Sequence, residues 1–96
     1  MDLNINYEEV RNIGRQLIAK SEEYGNVINN IRNTNSELAN YWSGADATKY
    51  FQTVNEQENI MRQLAATIEE IGNYLVRVGN AYEEASANNA NSINLY

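Results

Sequence analysis

Apolar residues recur along this chain on a seven-residue step, in two series. Val10, Leu17, Tyr24, Ile31 and Leu38 form the first, and Ala47, Val54, Met61, Ile68, Leu75 and Tyr82 form the second. In the first series the positions between these are Ile13, Lys20 or Ser21, Val27 or Ile28, Thr34 or Asn35, and Tyr41 or Trp42. In the second they are Tyr50 or Phe51, Leu64, Ile71, Val78 and Ala85, with Gln57 and Glu58 as a polar lapse. Alternating steps of three and four bring residues onto one helical face, so each series reads as one helix with one apolar seam. The pattern predicts an all-α antiparallel two-helix hairpin over residues 1–86, with helix 1 at 7–41, a turn at 42–45 and helix 2 at 46–86.

The stretch between the series is Tyr41-Trp42-Ser43-Gly44. Gly44 has no Cβ and tolerates the positive φ of a tight reversal. Ser43, three residues before Asp46, fits a Ser-x-x-acid cap that would start the second helix. At the other end, Asn6 is placed to cap the first helix with Glu9 three residues on, while Ile5 and Val10 are spaced for a hydrophobic staple. Folding back at the turn sets Gly14 near Gly72 and Ser21 near Ala65. Ala65, Gly72 and Gly79 then make a line of small residues along which the helices can approach closely. After Ala85 the pattern stops, and the Asn-, Ala- and Ser-rich segment 87–96 reads as a flexible tail with Ile93, Leu95 and Tyr96 as apolar handles.

A two-helix hairpin has a thin core. Ile18, Ile28 beside Val27, and Tyr50 with Phe51 widen each stripe beyond a strict seam. A second hairpin covering that surplus would complete a four-helix bundle, as a homodimer or as a heterodimer with a paralogue or larger toxin.

Composition narrows the function further. With no histidine and no cysteine, the chain lacks the groups for Ser-His-Asp or Cys-His catalysis, thiolate metal sites and His-containing zinc or di-iron sites. The expectation is a non-enzyme with no cofactor and no metal. The acidic pairs Glu8-Glu9, Glu22-Glu23, Glu69-Glu70 and Glu83-Glu84 point about 100° apart on a helix and do not converge on an ion. A net charge of −6 with scattered basic residues argues against nucleic acid and gives no basic patch for anionic lipid. No apolar run is long enough to span a bilayer, and Met1-Asp2-Leu3-Asn4 lacks the basic and apolar blocks of a cleavable signal peptide.

Trp42-Ser43-Gly44, central in a chain of this length between two amphipathic helices, resembles the signature of the WXG family, the ESAT-like proteins exported by type VII (ESX or Ess) secretion systems of Gram-positive bacteria and mycobacteria. The resemblance covers Tyr7 to about Ser86. It implies a hairpin that dimerises head to tail into a four-helix bundle and is exported folded, without a cleaved signal peptide. Its role would be that of effector, escort of a larger toxin, or component the secretion machine needs. It also implies a secretion signal, Tyr-x-x-x-Asp/Glu, read by a secretion ATPase through the C-terminal region. Tyr82-Glu83-Glu84-Ala85-Ser86 is the corresponding stretch, with Ser86 in the acidic position.

Trp42 is thus a recognition element or the packing of the bend, and Tyr82 a seam residue, a signal residue or both. Two other functions fit the pattern: a membrane-active effector that opens its hairpin onto lipid, and an intracellular helical adaptor or chaperone for a larger toxin.

Overall fold

The computed structural model of the chain describes residues 5–94, with side chains described through Asn88. Two helices, α1 (Tyr7–Leu38) and α2 (Ala45–Asn94), make up the antiparallel hairpin, with no strand among the described residues.

α1 starts at the expected cap. The Asn6 side-chain Oδ1 accepts from the backbone N–H of Glu9 at 3.1 Å, and the Asn6 carbonyl accepts from Val10 N–H at 3.0 Å. Glu8 and Glu9 add negative charge to the first turn, where the helix dipole favours it. The far end comes earlier than the sequence suggests, at Leu38 rather than 41. There the chain tightens into i to i+3 bonds, Asn40 N–H to Glu37 O at 3.0 Å and Tyr41 N–H to Leu38 O at 2.9 Å, and leaves the helix.

The start of α2 also differs in detail. Gly44 has φ +113° and its carbonyl accepts the first intrahelical bond, from Thr48 N–H at 3.0 Å. Gly44 is therefore the cap residue itself. Ser43 stands one position outside and makes no side-chain hydrogen bond, so the expected Ser43 cap does not form.

α2 runs to Asn94 instead of ending at 86. After Gly79 no glycine or proline stops it, and Ala85, Ala87 and Ala90 favour continuation. Leu95, Tyr96 and the Ile93 side chain, like Met1 to Asn4, lie outside the described residues.

The chain divides into two compact units. One joins Met1–Ala19 with Glu69–Tyr96; the other is Lys20–Ile68 and holds the bend. In the first, the backbones meet at the small residues the sequence singles out. A Cβ built on Gly14 would lie 2.6 Å from the Gly72 carbonyl oxygen, and one on Gly72 equally close to that of Gly14. One on Gly79 would lie 2.8 Å from the Tyr7 carbonyl oxygen. In the second unit Ile28 is fully buried, and Ala47 and Ser21 are buried.

This close approach corrects the reading of the alternate seam positions. Gly72 and Gly79 are buried and Ala65 half-buried, while Leu64 and Ile71, one residue earlier, are half exposed. In α1, likewise, Gly14 and Ile28 are buried, whereas Ile13 and Val27 stand half exposed. Small side chains let the helix axes come together, and the large ones beside them rotate outward to the flank.

Candidate functional site

No group of three or more Asp or Glu side chains among the described residues could hold a metal ion, and no described helix is long and apolar enough to cross a membrane. The features that can do something chemically are the bend, the flank of each unit and the end of α2.

At the bend, Trp42 rests on α2. Its ring centroid is 5.3 Å from that of Tyr50 and 6.0 Å from that of Phe51, both tilted, and Tyr50 meets Phe51 edge-on at 5.2 Å. Such aromatic pairs contribute about 0.5–1.5 kcal/mol each beyond area burial. Trp42 nevertheless remains 37% exposed, and Tyr41 beside it 87%. The indole thus packs the bend and keeps an open edge, so both readings of Trp42 fit one geometry.

The two sides of the bend unit differ in polarity. On one side Val27, Ile31 and Tyr50, with Asn30, Thr34 and Asn35, line an open groove of about 380 Å³. The Tyr50 hydroxyl donates to Asn35 Oδ1 at 2.8 Å across it. The other side carries the charges. Arg32 forks onto Glu58, with Nε and Nη2 donating at 2.8 and 2.9 Å, and Arg62 Nη2 donates to Asn29 Oδ1 at 2.8 Å. Arg62 Nε is 3.7 Å from Glu58 and, though buried, has no hydrogen-bond partner.

Glu58, the polar lapse in the seam, is therefore a positioned anion. The hydrogen bond from Arg32 is the main cause that holds its carboxyl below the ordinary value of 4.5, with the positive charges of Arg32 and Arg62 adding to it. A depressed folded value means the group stabilises the hairpin above the ordinary carboxylate range, and this is lost as pH falls through the folded value. Glu58→Gln should consequently flatten the acid side of the stability profile. Urea midpoints of wild type and variant, separate at pH 7, should converge as the pH is lowered below 4.5; parallel profiles would remove Glu58 from the account.

The end of α2 lies in the other unit. Tyr82 is half buried on the seam, as its heptad position implies; Glu84 is exposed and Ser86 half buried. Glu83 pairs with Arg11, whose Nη1 also donates to Asn80 Oδ1 at 2.8 Å. The segment is helical throughout. Sequence reading missed the Arg32–Glu58 and Arg11–Glu83 pairs. Their signal lay near the antiparallel register, which brings Arg32 within about one helical turn of Glu58 and Arg11 within about two of Glu83, spans that long side chains bridge.

The fold and these surfaces define an amphipathic helical hairpin with apolar flanks exposed beside its seam. A family model described as proteins of 100 residues with WXG matches residues 2–87, and the chain belongs to that family, whose small helical members are substrates of type VII secretion. A crystal structure of EsxA from Geobacillus thermodenitrificans superposes with a TM-score of 0.82 at 22% identity, covering 93% of this chain and 99% of that one. No curated protein matches.

Proposed function

We propose that this chain is a small exported protein of a type VII secretion system, acting as secreted effector or secretion partner by helix–helix contact, with a second hairpin completing a four-helix bundle. The observation that carries this is the flank: Ile13, Ile71 and Tyr74 in one unit, and Val27, Ile60 and Leu64 in the other, are 45–59% exposed beside a seam whose buried apolar residues, among those described, are Ile28 and Ala47. Covering the exposed half of such a side chain contributes about 1 kcal/mol, so docking a second hairpin adds what the thin core lacks. In this reading the Trp42-Ser43-Gly44 bend, and Tyr82 with Glu83, Glu84 and Ser86 on α2, are what the secretion ATPase recognises.

The test compares culture supernatant with cell lysate in the producing strain, with and without its type VII ATPase. Full-length protein in the supernatant that disappears with the ATPase is the expected result. Protein confined to the lysate in both strains would overturn export and leave an intracellular adaptor.

A further inference from the structure

In the stretch Tyr82-Glu83-Glu84-Ala85-Ser86 two carboxylates stand side by side, and the packing of their unit treats them differently. The difference begins at Gly79. A Cβ built there would lie 2.8 Å from the Tyr7 carbonyl oxygen and 2.9 Å from Arg11 Cβ, so the stem of Arg11 runs directly over the α2 backbone. Its guanidinium then reaches along α2, where Nη1 donates to Asn80 Oδ1 at 2.8 Å and to Glu83 Oε2. The Arg11 side chain is only 17% exposed. A planar donor seated in this way, always charged, holds its acceptors more firmly than a pair of exposed, flexible side chains would.

Glu84 has none of this support. It is exposed and makes no ion pair or side-chain hydrogen bond among the described residues, and no basic residue lies within four positions of it on its own helix. Tyr82 and Ser86, four apart and so on one face, are both half buried. Glu84 stands about 200° round the helix from Tyr82, on the outward side.

We infer that Arg11 is a positioning residue for export. It holds Glu83 as a strut between the first turns of α1 and the end of α2, keeps the stretch helical, and leaves Glu84 as the carboxylate that a cationic surface of the secretion ATPase engages. What is read is then a folded face, and holding that face in place beforehand lowers the ordering cost of docking. The inference rests on the export reading above and narrows it. Of the two acids one is structural and one is read, and the strut comes from a residue 72 positions away from Glu83 in sequence.

Exchanging the charges of the strut tests this in the full chain. Arg11→Glu and Glu83→Arg each break it and should lower the ratio of supernatant to lysate protein by roughly 10-fold. The exchange R11E/E83R rebuilds the strut with its charges reversed, and the Asn80 amide, which both donates and accepts, turns to suit. Export should return, because a strut needs no carboxylate at position 83. Glu84→Gln should lower export by a similar factor while the thermal melt of the purified chain stays at the wild-type value, since that side chain supports nothing in the fold. Should R11E/E83R not recover the wild-type melt, E83Q takes its place: its amide oxygen still accepts from Arg11 without the charge, and near-wild-type export is expected. An exchanged chain that melts like wild type yet stays in the cell, an E83Q chain as defective as E84Q, or an E84Q chain exported like wild type would overturn the inference and leave export standing. Wild-type protein whose appearance in the supernatant does not depend on the ATPase would remove both.

Discussion

Ile28→Ala should lower the unfolding free energy by about 3–4 kcal/mol, while Val27→Ala, at the next position, should cost less than about 1 kcal/mol. Both are β-branched residues on the same turn of α1, and composition does not separate them. Burial does: Ile28 is 0% exposed and Val27 50%. Removing the Ile28 side chain beyond its Cβ leaves a cavity at a position closed to water. Removing the Val27 methyls takes away surface that is half in water already, and alanine recovers helix propensity. Urea unfolding followed by circular dichroism at low protein concentration measures both. Equal losses would mean that the seam runs between the two positions rather than through Ile28. On the proposed docking of a second hairpin over that flank, the Val27→Ala loss should grow at high concentration.

Gly72→Ala should destabilise the hairpin by about 2 kcal/mol, while Gly25→Ala should stabilise it by up to about 1 kcal/mol. Glycine-to-alanine in a helix interior gains about 1 kcal/mol in propensity, so the sign depends on what the new methyl meets. At Gly25 it meets nothing within 4 Å. At Gly72 it would lie 2.6 Å from the Gly14 carbonyl oxygen, 2.8 Å from Ile18 Cγ1 and 3.1 Å from the Ile18 backbone nitrogen. Two of those three neighbours are backbone, which moves only if the helices separate. Overpacking of that kind costs about 3 kcal/mol, more than the propensity gain. Thermal melts of the two variants beside wild type should therefore shift in opposite directions. A stabilised Gly72→Ala would show that the helices part without loss.

Much of this molecule is legible from residue order. The two heptad series, the Asn6 cap and the reversal at Gly44 each rest on a local rule, and the approach of Gly14 to Gly72 follows once the hairpin is closed. Where reading stopped short, the cause was non-local. Ile13 or Gly14, Val27 or Ile28, and Leu64 or Ala65 are adjacent pairs, and a seven-residue repeat allows either member to face inward. The contact distance between helices decides, and backbone contact at the glycines turned the smaller line of α2 to the inside.

The candidate site divides in the same way. Trp42-Ser43-Gly44 and the Tyr82 stretch are visible as letters, but the Trp42 packing on Tyr50 and Phe51 is visible only in three dimensions, as is the role of Glu58 as the anion between Arg32 and Arg62.

Sequence alone thus determined that the chain is two amphipathic helices joined at a Trp-x-Gly bend, without imidazole or thiol chemistry, because periodicity and side-chain inventory are properties of residue order. The tertiary structure decided which side of each helix is core and which is left half exposed, because that choice depends on how closely two backbones can approach.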